Sequence, residues 1–307
     1  MTAVDEDAGC LPPIGVAWWN TSLSPNADSD RASSSDRVNA AFAIDELVKW
    51  GAGVIGLCEV SQADIDFLAV HSALRTFGFT EPGAAASSRS RFDTCIAYDP
   101  ELFALIAEVD LVAGYGAGHF RIAQRFELQP SAGGKLLHVL VSHWPSRLNM
   151  DANDPKRILY AAALRETVNG LLAADPAAHI ILMGDYNEEP FSESMRVGLR
   201  ASRDRPRSES KPDLLYNPFW RHLSSYRQDH GHSCYDEGTY YYHSGDTTRW
   251  HTFDQMMFSH GLLTGADGLA LDEHSSRAHV VPWLESLLLD RKSLFDHRPI
   301  VGRLMRS

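Results

Sequence analysis

Residues 179–183 form a short run, His179-Ile180-Ile181-Leu182-Met183, that stops abruptly at Gly184-Asp185-Tyr186-Asn187. Such a run reads as a buried strand. An aspartate and an asparagine two residues apart just beyond it place two oxygen-bearing side chains at one rim of a sheet, which suits a hard metal ion and a phosphate. The pattern recurs at other predicted strand ends. A run over 14–19 ends at Trp19-Asn20, one over 54–58 ends at Cys58-Glu59, and one over 136–142 ends at Ser142-His143, while Phe253-Asp254 and Asp296-His297 flank the last two runs.

Helical periodicity alternates with these strands. Ala40, Ile44, Leu47 and Val48 share a helix face ahead of Gly51. Ser61-Gln62-Ala63-Asp64 has the form of a capping box, opening a helix whose face continues through Ile65, Leu68, Ala69 and Ser72. Pro155 suits the first turn of a third helix reaching about residue 173. Further strands are expected over 94–98, 122–128, 253–259 and 299–304, with loops over 21–35, 81–91 and 114–118. No repeat or linker divides the chain. The expectation is a flexible tail over 1–13, then a single α/β domain over 14–307 with a long aromatic-rich insertion at about 201–252.

The 307 residues carry a formal net charge of −12, which disfavours non-specific nucleic-acid binding through a broad basic face. It leaves room for a phosphate substrate, because an acidic site that holds a divalent cation has its own positive centre. Lysine occurs only at 49, 135, 156, 211 and 292, and the other basic residues are arginine. Arginine forks phosphates better than lysine, and a GC-rich genome would give the same bias. Cys10, Cys58, Cys95 and Cys234 form no CxxC pair; Cys58 and Cys95 lie in apolar runs and are expected as buried reduced thiols. Residues 1–9 lack a signal-peptide pattern and no apolar stretch is long enough to span a bilayer, so a cytoplasmic protein without a membrane partner is expected.

Taken in order, Trp19-Asn20, Glu59, Ser142-His143-Trp144, Gly184-Asp185-Tyr186-Asn187, Thr252-Phe253-Asp254-Gln255 and Asp296-His297-Arg298-Pro299-Ile300 make the chain resemble the endonuclease/exonuclease/phosphatase superfamily. That group holds the DNase I-like nucleases, abasic-site endonucleases, inositol polyphosphate 5-phosphatases and neutral sphingomyelinases. The resemblance covers residues 14–304 and implies a four-layered α/β/β/α sandwich of two mixed β-sheets. It also implies roles. Glu59 would be the principal ligand of Mg²⁺ or Mn²⁺, with Asn20 and Asp296 beside it. Taken alone, Glu59 could equally close a buried salt bridge or cap a helix. Asp185 would orient or deprotonate the attacking water, and Asn187 would hold a phosphate oxygen or the metal; alone, the two could simply bond their own backbone in a turn. Asp254 would orient His297, which either contacts the scissile phosphate or acts as base. His143 would face the phosphate from the far side, as in the DNase I-like and sphingomyelinase branches, stabilising charge or protonating the leaving oxygen. There are departures. Ser22 stands where many nucleases carry an acid, and basic residues are sparse in the loops that track DNA in the abasic-site enzymes.

Arg147 either reaches a phosphate or stays solvated, and Tyr115 falls in the loop where some members carry a phosphate-contacting tyrosine, or packs that loop. Trp144 and Trp250 complete the candidate substrate contacts. Phe219, Trp220, Tyr235, Tyr240, Tyr241, Tyr242 and Trp250, interleaved with Arg221, Arg227 and Arg249, suit base stacking or pack the insertion on the sandwich. His230, His232, His243 and His251 show no metal-ligand spacing. The expected activity is a divalent-metal-dependent phosphodiesterase acting on DNA or RNA. The alternative is a phosphatase or phosphodiesterase acting on a small-molecule or lipid-headgroup phosphoester. A non-catalytic binder would have no need of the intact acid–histidine set.

Overall fold

The computed structural model describes residues 11–25, 31–82, 92–115, 118–224 and 238–306, with the Tyr115 and Gly118 side chains excepted. Most of the expected N-terminal tail, part of the 81–91 loop, Cys10, Arg227, His230, His232, Cys234 and Tyr235 lie outside the described residues, as does the Tyr115 side chain.

The first half of the chain runs β1 (Ile14–Asn20), α1 (Ser34–Trp50), β2 (Ala52–Cys58), α2 (Gln62–His71), β3 (Gly78–Phe79), β4 (Thr94–Tyr98), β5 (Phe103–Tyr115), β6 (Gly118–Pro130) and β7 (Leu137–His143). The second half runs α3 (Lys156–Ala174), β8 (His179–Asp185), β9 (Ala201–Ser202), α4 (Arg205–Ser210), β10 (Leu215–Tyr216), β11 (Tyr240–Tyr241), β12 (Trp250–His251), β13 (Asp254–Phe258), α5 (His260–Thr264), β14 (Leu269–Ala278), α6 (Pro282–Leu288) and β15 (Ile300–Arg306). The local signals hold at the helix ends. Ser33 and Asp36 close a capping box on α1, whose other end stops at Gly51 in the left-handed region, and Ser61 and Asp64 do the same for α2.

One sheet has the order β14-β15-β1-β2-β4-β3 and the other β5-β6-β7-β8-β13-β10-β9. The apolar runs have no polar alternation because each strand serves two cores. Val16 and Trp18 of β1 and Ile181 and Met183 of β8 meet between the sheets. Ala17, Trp19, Ile55 and Leu57 face α1 and α6 through Ile44, Leu47, Leu284 and Leu288. Ile180 and Leu182 face α3 through Tyr160, Leu164 and Val168. Three cores therefore separate four layers, the α/β/β/α sandwich.

Chain direction then places the polar strand ends. β1 and β2 run parallel, as do β7 and β8, so their C-terminal ends, at Asn20, Cys58, His143 and Asp185, lie at one rim of each sheet. β4, β13 and β15 run antiparallel to their neighbours β2, β8 and β1, so their N-terminal ends return to the same rim. Two expectations change here. Residues 114, 115 and 118, read within a loop, belong to the long strands β5 and β6, where Gly114 pairs with His119 and Tyr115 with Gly118. β5 is an edge strand, half exposed along its length, so it lacks the continuous apolar signal of the central strands. The segment 201–252 is not wholly an insertion, because β9 and β10 extend the second sheet, Tyr216 pairing with Phe258. Among the described residues, no helix is long and apolar enough to cross a membrane, and Cys58 and Cys95 are buried and free.

Candidate active site

The rim gathers Asn20, Glu59, Asp185, His143, Asp254, Asp296 and His297 from both sheets. Asn20 sits at the seam, with Nδ2 3.2 Å from Glu59 Oε1, 3.2 Å from Asp185 Oδ2 and 3.5 Å from His297 Nε2. Its Oδ1 accepts the Ser22 backbone N–H at 3.0 Å, and the Ser22 hydroxyl donates to Asp296 Oδ1 at 2.8 Å. Ser22, Glu59 and Asn187 all hold positive φ (56°, 53° and 52°). That region costs a non-glycine L-residue roughly 1–2 kcal/mol, so strain is concentrated at this rim.

Two histidines enter from opposite sides, each fixed through Nδ1 by a buried carboxylate. His297 Nδ1 is 2.7 Å from Asp254 Oδ2, and Asp254 Oδ1 accepts Trp18 Nε1–H at 2.9 Å. His143 Nδ1 is 2.9 Å from Asp93 Oδ2. Both Nε2 atoms face Asp185 Oδ2, at 3.7 Å from His297 and 4.0 Å from His143, and His143 Nε2 also lies 3.8 Å from Glu59 Oε1. Burial by itself would lower both imidazole pKa values. Against it, the Asp254 and Asp185 charges push His297 up to about 10, and Asp93 with Glu59 and Asp185 pushes His143 up to about 9. At neutral pH both rings are therefore imidazoliums facing one carboxylate oxygen. Burial raises the carboxyl pKa values of Asp185 and Glu59, opposed by the two histidines. Burial also works to raise that of Asp93, but His143 and Arg121 bring it below the usual range.

A divalent cation fits beside Glu59. That carboxylate is partly buried at a strained position, with only the half-exposed Arg31 guanidinium 3.6 Å away as a permanent cationic partner among the described residues. The nearby Asp296 charge raises its pKa further. Glu59, Asp296 and the Asn20 amide make an all-oxygen donor set, the kind that suits Mg²⁺ or Mn²⁺. Asn20 as placed turns its amide hydrogens toward Glu59 and Asp185, so it joins the two carboxylates and can offer an ion only the second lone pair of Oδ1. Asp185, Asp254 and His297 also bring ligand-type atoms within 4.8 Å of one another. Both Asp254 oxygens are already taken by Trp18 and His297, however, so in the present arrangement Asp254 holds His297 by a hydrogen bond while Asp185 faces the ring at ion-pair distance.

Asn187 arrives as expected but is held by its surroundings. Its backbone N–H donates to Asp185 Oδ1 at 2.9 Å and its Nδ2 to the Trp144 carbonyl at 3.0 Å. Arg147 borders the site, with Nε donating to the Asn187 carbonyl at 3.0 Å and its guanidinium 4.5 Å over the Phe253 ring. Phe253 stacks on His251 and on Tyr240, and Tyr240 lies 4.6 Å from the His297 ring, so an aromatic wall runs from His297 to Arg147. One expected contact is corrected, and a second, the partly exposed Trp250, is engaged on one face by the protein itself. Trp144 is 1% exposed, its Nε1 donates to the Ile122 carbonyl, and its ring packs on Tyr160 and Tyr186, which leaves no face for a substrate. Trp250 carries the Arg298 guanidinium at 3.7 Å, and Arg298 in turn is forked by Glu285, so this indole supports the segment after His297.

Asp93 and Trp18 were missed from the sequence, and Tyr240 was read only as one aromatic of the 201–252 segment. Asp93 stands just before β4, opposite the end of β2, and that antiparallel return would have pointed to it. Thr239 and Tyr240 tie the aromatic segment to the site: Thr239 Oγ1 accepts the Asp254 N–H, and Tyr240 bridges to His297. Asp93→Asn is expected to bring the His143 pKa down from about 9, because removing the carboxylate leaves burial to favour the neutral ring. An imidazole NMR titration would detect it, and an unmoved titration would exclude Asp93 as the cause.

A four-layered sandwich whose strand ends converge on buried carboxylates and two carboxylate-fixed histidines defines a class of phosphoester hydrolases. The chain belongs to the Endonuclease/Exonuclease/phosphatase family, whose sequence profile matches residues 28–287. It is similar in fold to the human Nocturnin catalytic domain with bound sulfate, at 16% identity and a TM-score of 0.60 over 96% of this chain and 95% of that one. It is also similar to D. rerio TDP2 complexed with a single-strand DNA product, at 14% identity and a TM-score of 0.60 over 95% and 98%. The mannosyl-6-phosphatase Bt3783 of Bacteroides thetaiotaomicron matches at 13% identity and a TM-score of 0.59 over 95% and 99%. No curated protein matches the sequence.

Proposed function

We propose that the protein is a divalent-metal-dependent phosphodiesterase that cleaves nucleic-acid strands. The observation that carries this reading is the convergence of both histidine Nε2 atoms on Asp185 Oδ2, within 4.0 Å, from opposite sides of the rim. A phosphoryl group bound against these three side chains would have Asp185 Oδ2 as acceptor for the proton of an in-line water. It would also have two imidazoliums to donate to the oxygens on which charge builds. Asp254 and Asp93 hold each ring by Nδ1 so that its Nε2–H faces the gap, and the Asn20 amide keeps Asp185 and Glu59 aligned. The ion at Glu59 and Asp296, when bound, supplies charge neutralisation to the phosphate. The partly exposed rings of Tyr240 and His251, held by the buried Phe253 between them, offer faces for bases beside the scissile bond. The similarity to a DNA-product complex of TDP2 supports the same substrate class.

A phosphosugar is the second reading, and one observation favours it. A cavity of about 520 Å³ opens beside Arg147, lined by Asn153, Asp154, Ser192 and Glu193, a size and polarity suited to a hydroxylated small molecule. Both readings meet in one assay: Mg²⁺ and Mn²⁺ titrations on labelled linear and circular DNA and on RNA, alongside inorganic phosphate release from small phosphoesters. Metal-dependent cutting of strands is expected. Glu59→Gln should raise the metal needed for half-maximal rate beyond the 10–100-fold typical of outer-shell partners. Phosphate release with every nucleic acid left intact would transfer the assignment to the small-molecule reading.

A further inference from the structure

Residues 196–207 hold five arginines and one acid in a chain whose formal net charge is −12. Two of the five are neutralised: Arg200 by Asp213, and Arg205 by Glu209 and Glu273. Arg196, Arg203 and Arg207 have no ion pair among the described residues, and all three are exposed. They line, with Arg200, an open cavity of about 670 Å³. Its wall includes Trp220, and the Arg203 guanidinium lies 5.0 Å over that ring, which holds the charge in place. The arrangement is local and built by the fold. A π-helix over Ser194–Gly198 presents Arg196, the turn after β9 presents Arg203, and the Asp204 cap of α4 spends its carboxylate on the Arg207 backbone N–H.

From this patch we infer an exosite for the phosphate backbone of a nucleic-acid strand, engaging the substrate away from the bond that is cut. The inference rests on the nuclease reading above and adds where a long substrate is held. Guanidiniums fork phosphate oxygens, and although Arg196 Nε donates to the Phe191 carbonyl and Arg203 lies over Trp220, no carboxylate among the described residues neutralises these three in an acidic protein. The position also fits. β9 lies three strands from β8, and β10 meets β13 at Phe258, which pairs with Ile181, four residues below Asp185. Strand spacings of about 4.8 Å and rises of about 3.3 Å put the patch roughly 20 Å from the catalytic rim. That is about 6 nucleotides of stacked strand at 3.4 Å each. The segment between them carries Phe191, 54% exposed, on the way.

The test compares the whole protein with an Arg196→Ala/Arg203→Ala/Arg207→Ala variant, and with Arg203→Gln/Arg207→Gln as a milder version that keeps side-chain bulk. KM and kcat are measured over a salt series on end-labelled single strands of about 3 and about 20 nucleotides, the longer one able to reach the patch. At about half a log unit per lost phosphate contact, the triple variant should raise KM for the long strand about 30-fold. It should also flatten the log–log salt slope by about 2, at 0.7 per contact. The short strand and kcat should be unaffected. Wild-type cleavage with unchanged long-strand KM and slope in both variants would reject the exosite while the nuclease reading stands. A wild-type protein that neither cuts nor binds any strand would reject both. Tighter binding of polyglutamate than of a strand of equal charge, lost in the triple variant, would assign the patch to an acidic protein and overturn the inference.

Discussion

His297→Ala is expected to lower kcat by about 10³-fold or more, within the range set by loss of a positioned acid–base group, while the protein still folds. The ring is the most constrained group of the site. Asp254 fixes its Nδ1 at 2.7 Å, Tyr240 covers its face, and its Nε2 faces Asp185. His297→Asn should recover little, because an amide cannot supply an imidazolium. The pH dependence of stability provides an independent check. The ring has an ordinary pKa of 6.5 and is pushed up to about 10 when folded. Its contribution to stability is therefore fully present below pH 6.5 and lost as the pH rises through about 10. Metal-free wild type should exceed metal-free His297→Ala in melting temperature most at about pH 6, with that excess shrinking toward pH 10. A constant difference across this window would mean that the charge of the ring does not balance the carboxylates as described.

Gly184→Ala is expected to be nearly as damaging, for a different reason. A Cβ at this position would stand 2.2 Å from the Ser142 carbonyl oxygen, an atom of the neighbouring strand backbone that cannot swing aside. Over-packing of this kind costs about 3 kcal/mol when the backbone must yield. It would also part β7 from β8 where His143 pairs with Asp185, so the histidine–carboxylate gap would widen. A lower denaturant midpoint together with reduced kcat is the expected result. Full stability in Gly184→Ala would show that the two strands can separate without cost. The glycine of Gly184-Asp185-Tyr186-Asn187 thus sets a spacing between strands.

Much of the site was legible in the sequence because strand ends are local events. A run such as 54–58 that stops at Glu59 announces both the strand and the polar residue at its tip, and a capping box such as Ser61–Asp64 announces the next helix. Asn20, Glu59, His143, Asp185, Asp254, Asp296 and His297 were read in this way, and the structure brings them to one rim. Trp144 was misread as a substrate contact because an aromatic residue beside a catalytic motif carries the same letter whether its ring faces the cleft or the core. The flank of β8 decided it, since the ring turns toward α3. β5 and β14 passed unnoticed because they lie toward the sheet edges and mix polar with apolar residues.

By itself the sequence indicated one α/β domain and the order of its main parts, and the resemblance carried by the six ordered motifs implied the four-layered sandwich. The sequence also determined which residue types stand at the ends of the apolar runs. Which ends meet was decided by tertiary structure. The Trp18–Asp254 hydrogen bond joins residues 236 positions apart, and the Asp93–His143 pair joins residues 50 apart across the two sheets. Contacts of that span follow from strand direction and sheet packing, which no local periodicity encodes. Arg196, Arg203 and Arg207 at the second-sheet edge belong to the same category: a basic run in one dimension became a cavity wall only when the π-helix, β9 and α4 folded against one another.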